Sequence, residues 1–114
     1  MAEDSRLKAG DVVLVEIPFT DGHEQHGTRP AIIVAGVTRG IIAALPLTTN
    51  DEALLFSHTV PIKRSTANGL SSFSIALIYQ VRALDATRCK RKLGVLSKAD
   101  YSIIHKGLKK YLDL

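Results

Sequence analysis

Apolar positions along the chain fall into short runs punctuated by polar turns. Val12–Ile17 is β-branched and almost continuously apolar, which predicts a central strand buried on both faces. Gly10-Asp11 reads as the turn into it, and Pro18 ends its ladder. A polar segment follows, Phe19–Thr28, with Asp21-Gly22 as a turn signal. Arg29-Pro30 opens a second strand over Ala31–Ala35, where a proline at the strand start forfeits no needed donor. Thr38-Arg39-Gly40 reads as a tight connection into a third strand, Ile41–Leu47, hairpinned on the second. Thr48–Asp51 is a polar stop, His58–Lys63 a further strand and Ser65–Ser72 a Ser/Asn/Gly-rich loop. Ser74–Val81 is another apolar strand that Arg82–Leu84 continues beyond a bend. The basic stretch 86–92 reads as a helical turn or loop, with Leu93–Leu96 a short strand after it.

Ser97-Lys98-Ala99-Asp100 resembles a capping box with Asp in the Glu position, opening a helix to about Leu112. Tyr101, Ile104, Leu108, Tyr111 and Leu112 form an apolar stripe at helical spacing, which is core packing. Strands joined by short turns and closed by one helix predict a mainly β fold. The expected form is a small antiparallel barrel or strongly bent sheet with a C-terminal helix, because parallel pairing would need crossovers the chain lacks. At 114 residues this is one domain over 1–114, with a polar arm at 1–9.

Composition narrows the function classes. No apolar run reaches the length of a membrane span, and Met1–Ser5 is acidic rather than signal-like, so a cytoplasmic protein is expected. Cys89 is the single cysteine, which excludes an internal disulfide and a cysteine-rich metal site. The net charge is +4 and the pI about 9.4, compatible with a polyanionic partner. With no Trp, three Phe and three Tyr, the chain is no aromatic stacking platform.

Chemistry concentrates in His23-Glu24-Gln25-His26-Gly27-Thr28-Arg29-Pro30, framed by Gly22 and Gly27. Polar loops held between buried strands are where binding and catalytic groups tend to sit. His23 and His26 lack further ligands at metal spacing, so neither a metal nor another cofactor is expected. There is no nucleophile elbow and no phosphate-cradling glycine loop. Arginine, imidazole and hydroxyl together fit a phosphodiester: a bidentate fork, a group that exchanges protons near neutral pH, and a hydrogen-bond donor.

At these residues the sequence resembles a known family. Gly10-Asp11-Val12-Val13, then Gly22-His23-Glu24-Gln25-x-Gly27-x-Arg29-Pro30, Pro46-x-Thr48-Thr49, Ser74-Ile75, Gln80-Val81-Arg82-x-Leu84-Asp85 and Leu93-Gly94-x-Leu96-Ser97 follow the order of the MazF/PemK (Kid) family. These are ribonuclease toxins of type II toxin–antitoxin modules, and the match spans roughly residues 9–112. The resemblance implies the SH3-like barrel of MazF and CcdB toxins, a homodimer and a cognate antitoxin. It further implies metal-independent cleavage of single-stranded RNA by 2′-hydroxyl attack. Carried over position by position, Arg29 is the catalytic arginine and Thr48 the catalytic threonine. His23 is the expected acid or base, with Glu24 as runner-up or as the group that orients His23. Gln25, Thr28, Thr49, Asn50, Lys63, Arg64 and Arg82 are the expected RNA contacts.

One departure stands out. Some members carry an arginine and an aspartate on the strand before the Gln-x-Arg block, where this chain has Leu77 and Tyr79. Two alternatives therefore stay open: a CcdB-like toxin that binds DNA gyrase and cleaves nothing, and a non-catalytic RNA- or partner-binding member.

Overall fold

In a computed structural model, which describes residues 7–18 and 22–114, seven strands and one α-helix follow one another along the chain. The strands are β1 (Asp11–Ile17), β2 (Gly27–Thr38), β3 (Ile41–Thr48), β4 (Thr59–Ile62), β5 (Ser74–Leu77), β6 (Arg82–Asp85) and β7 (Cys89–Val95). The helix is α1 (Lys98–Leu112), and 3-10 turns occupy Asp51–Leu55, Ile78–Gln80 and Ala86–Arg88. All pairings are antiparallel, in the order β4-β5-β3-β2-β1-β7, with β6 on the free edge of β3 beside β5. The mainly β architecture with a terminal helix is the one the apolar pattern predicts.

The β2–β3 connection shows why register is firm here. Thr38 pairs with Ile41, so only Arg39 and Gly40 lie between, at φ 52° and 81°. Two positive-φ residues make a turn whose twist matches the strands, and glycine accepts that conformation without cost.

Alternating side chains divide the core. Val12, Ile32, Leu45, Leu47, Ile62, Ile78 and Ile104 meet on the side covered by α1. Val13, Val15, Ile17, Ala31, Ile33, Ile42 and Leu84 fill the other. Ala53, Ile75, Leu77 and Tyr79 form a third, smaller cluster under the first 3-10 turn. The gap between β4 and β7 is closed by the 63–70 loop, whose Ala67 carbonyl accepts the Val95 N–H at 2.9 Å. Buried Asn68 organises that loop by donating to the Lys63 carbonyl and accepting from the N–H groups of Ser65 and Leu70.

Four expectations need correction. β2 runs over Gly27–Thr38, so Gly27 and Thr28, expected in the loop, are strand, and the strand continues past Ala35. The run Ser74–Val81 breaks into β5 and a 3-10 turn before β6. The cause lies opposite: Pro46 of β3 has no N–H to offer that edge, and its neighbour bulges out there. Most of the basic stretch 86–92 is strand, since β7 takes in Cys89–Val95, and charges on an edge strand discourage foreign pairing. The polar stop after β3 runs into the Asp51–Leu55 3-10 turn, capped by the Asn50 side chain. Helix α1 begins as expected, with Ser97 Oγ accepting the Asp100 N–H at 3.0 Å. It is neither long nor apolar enough to cross a membrane. Residues 1–6 of the expected arm, and Asp21 of the expected turn, lie outside the described residues.

Candidate functional site

The ends of β1 and β3 and the starts of β2 and β5 meet along one rim of the sheet. Ala31 pairs with Pro46 and Ile32 with Leu45, where the β2–β3 pairing ends; that register, continued two residues outward, brings Arg29 opposite Thr48, and the Arg29 side chain reaches the carbonyl of Leu47 beside it. Opposed residues of an antiparallel pair project from the same face. Arg29 pairs on its other side with Val15, and Thr48 with Ile75. The row Val15–Arg29–Thr48–Ile75 thus carries its two polar members at the centre, with an apolar residue at each end.

Arg29 is held, not waving. Its Nε donates to the His26 carbonyl at 3.0 Å and its Nη1 lies 3.5 Å from the Leu47 carbonyl. Neither bond uses Nη2, which is left to meet an anion. Partial burial lowers the guanidinium pKa from its ordinary value, yet a guanidinium stays charged at neutral pH. Thr48 Oγ1 accepts the Asn50 N–H at 3.2 Å, a local turn that fixes the hydroxyl while leaving its hydrogen to donate. Asn50 Oδ1 in turn accepts the Glu52 N–H at 3.0 Å. Asn50 and its neighbour Thr49 are exposed beside Thr48.

The loop before β2 supplies the rest. Gly27 enters the strand at φ 85°, a conformation that favours glycine. His23, Glu24 and Thr28 are exposed, and Gln25 is half-buried. Glu24 lines a cleft of about 360 Å³ together with Tyr79, Gln80, Val81, Arg82 and Ala83. Arg29 reaches the residue before Thr48, and Glu24 and Arg82 line one cleft; His23 belongs to neither set. Lys63 and Arg64 follow β4 at the same rim. They line a separate cleft of about 590 Å³ with Leu54, Pro61, Phe73 and Asp100. Among the described residues no three His, Cys, Asp or Glu side chains converge.

The positions that depart from the family pattern are now explained. Leu77 is fully buried in the third cluster, and Tyr79 packs against the same group with Phe56 edge-on to its ring at 6.4 Å. Apolar packing occupies the place of a charged pair. Gln80, noticed in the sequence only as part of a block, proves to touch the loop: its Oε1 accepts the Gln25 N–H at 2.7 Å. Nothing local in the sequence signals a bond between residues so far apart.

Comparison with known proteins identifies the family and the fold. A family model described as PemK-like, MazF-like toxin of type II toxin–antitoxin system matches residues 8–112. Endoribonuclease MazF of Staphylococcus saprophyticus is 35% identical over 97 residues, covering 80% of this chain and 78% of the relative. Endoribonuclease MazF of Staphylococcus epidermidis is 33% identical over 99 residues, covering 82% and 80%. MazF from Deinococcus radiodurans superposes with a TM-score of 0.79 at 22% identity, covering 95% of this chain and 97% of that one. A MazE-MazF structure from the same organism gives 0.71 at 23% identity, covering 95% and 96%. At such identities the structures establish the fold alone. The family match over nearly the whole chain, with relatives above 30% identity, establishes that this chain belongs to the PemK-like, MazF-like toxins of type II toxin–antitoxin systems.

Proposed function

We propose that the chain is a cytoplasmic endoribonuclease that cuts single-stranded RNA without a metal. It acts as a homodimer and is held in check by a cognate antitoxin. The observation that carries the reading is the Arg29 guanidinium held at the carbonyl of Leu47, the residue before Thr48, at the sheet rim. The 2′-oxygen of the ribose attacks the adjacent phosphorus, its proton passes to a base, and the 5′-oxygen leaves with a proton. The products are a 2′,3′-cyclic phosphate and a 5′-hydroxyl. Arg29 offers Nη2 to the oxygens whose charge grows in the phosphorane, a fixed donor that needs no reorganisation. Thr48 donates its hydroxyl to a non-bridging oxygen. His23 is the proton carrier, because an imidazole can exchange a proton near neutral pH, with Glu24 as the alternative. Leu77 and Tyr79 contribute no carboxylate, so the carboxylate that some members carry on that strand has no counterpart here.

Support comes from relatives named endoribonuclease, and for the antitoxin from a structural neighbour solved as a MazE-MazF complex. The test is cleavage of a mixed-sequence RNA by purified protein in EDTA, followed by end-group analysis. Cutting that leaves 5′-hydroxyl ends, and that Arg29→Ala lowers by about 10²–10³-fold, is the expected result. Five-prime phosphate ends would exclude internal attack. No cutting of any RNA, together with inhibition of DNA gyrase, would replace the nuclease with a gyrase-binding toxin.

A further inference from the structure

The loop Gly22–His26 has neither helix nor strand, yet it carries the two residues offered for proton transfer. Side chains on such a segment are placed only as well as its backbone is tied down. A long-range bond that does this is Gln25 N–H to Gln80 Oε1, at 2.7 Å. Gln80 belongs to the 3-10 turn on the far side of β3 from β2, so its side chain bridges the strand that bears Thr48.

The anchor is itself fixed at both ends. Gln80 Nε2 lies 3.4 Å from the Tyr79 hydroxyl, which turns the amide so that its oxygen faces Gln25. Tyr79 is packed into the third core cluster, and its carbonyl accepts the Tyr111 hydroxyl of α1 at 3.2 Å. Ile78, first residue of the turn, is fully buried against Ile104 of α1. The bond therefore runs from a loop without secondary structure to a turn set in the core.

We infer that Gln80 is a positioning residue: by accepting the Gln25 N–H it fixes the 22–26 loop, and Glu24 within it, over the cleft shared with Arg82. The consequence for activity rests on the endoribonuclease reading above, whereas the consequence for the loop does not. Two measurements keep them apart. The first is hydrogen exchange at the Gln25 amide in Gln80→Ala and Gln80→Glu, with thermal melts to verify that both fold. Alanine removes the acceptor and is expected to speed exchange at Gln25; glutamate keeps an acceptor oxygen and is expected to preserve protection. Unchanged exchange in the alanine variant would overturn the proposal, whatever the activity.

The second is the split between kcat and KM on an RNA that the wild type cuts. Loop misplacement is expected to lower kcat by about 10- to 100-fold in Gln80→Ala, with a smaller change in KM, and glutamate should restore most of it. If glutamate is as damaging as alanine while Gln25 stays protected, Gln80 touches substrate directly and the positioning role is wrong. If alanine frees the Gln25 amide but kcat is unchanged, the loop's position does not serve catalysis and the proposal fails on that count. A wild type that cuts no RNA would sink the nuclease reading and leave exchange at Gln25 to decide the pin.

Discussion

At the scale of single residues, the site depends on donors that the backbone has already oriented. Thr48 illustrates the difference between a hydroxyl that is present and one that is placed. Its Oγ1 is held by the Asn50 N–H, so the hydrogen points away from that bond. Thr48→Val removes both roles at constant shape, and Thr48→Ser restores both. Valine should cost about 10²–10³-fold in kcat, the usual loss for one donor to a developing oxyanion, while serine should stay within about tenfold of wild type. Full activity in Thr48→Val, measured under single-turnover conditions, would remove Thr48 from the reaction. Arg29→Lys probes geometry rather than charge. An ammonium cannot reproduce a fork that donates to two carbonyls and still faces an anion, so lysine should recover little of the loss seen with alanine.

At the scale of elements, caps and connections fix how the rim is held. Ser97→Ala deletes the bond to the Asp100 N–H and should cost about 0.5–2 kcal/mol. That corresponds to a fall in Tm of several degrees, since about 1 kcal/mol moves a domain near this size by roughly 4–8 °C. Gly107 of α1 lies so close to Ile78 that an added Cβ would meet Ile78 Cδ1, so Gly107→Ala should displace the tip of that side chain. Asp85 gives an acid-side signature. Its carboxylate accepts the backbone N–H and the hydroxyl of Thr87, and these bonds, with Arg88 nearby, hold its pKa below the usual carboxylate range. A depressed folded pKa gives stability that is complete above the unfolded value of about 3.9 and is lost as pH falls through the folded value. The Tm gap between wild type and Asp85→Asn should therefore be constant above about pH 5 and narrow below about pH 4. A gap independent of pH would mean that the charge contributes nothing.

The same elements show what the sequence made legible. β1, β3 and α1 announce themselves by period, because burial of one or two faces leaves a periodic trace. The outer end of β2 does not: Gly27 and Thr28 are exposed at the rim and carry no apolar period, so they read as loop although they are paired with β1. The break after Leu77 is a tertiary event imposed by Pro46 across the sheet, and no local pattern records it. β7 was obscured by its own charges. Among the candidate site residues, Arg29 and Thr48 are picked out by their motif, whereas the bond of Gln80 to Gln25 across β3 leaves no local trace.

At the scale of the whole molecule, the net charge of +4 says little until the spent cations are separated from the spare ones. Lys92 lies 3.2 Å from the buried carboxylate of Asp11, and Lys90 lies 3.6 Å from Glu16. Half of the basic run Arg88, Lys90, Arg91, Lys92 is thus committed to partners on β1. Lys63 and Arg64 are exposed at the rim that holds Arg29 and Thr48, and no ion pair engages either among the described residues. A single strand of RNA laid along that rim releases counterions in proportion to the phosphates it gives up, with a log–log salt slope of about −0.7 per contact. Replacing Lys63 and Arg64 together by alanine should make the slope shallower by about 1.4 and weaken binding equally for all sequences. Replacing Lys90 by alanine should leave the slope unchanged. Binding to a mixed-sequence RNA can be followed with the Thr48→Val protein, so that cleavage does not deplete the ligand. A slope that responds to Lys90 and ignores Lys63 and Arg64 would move the RNA path from the rim to the β7 edge, and Arg29 would then lie off the path of the strand it is meant to cut.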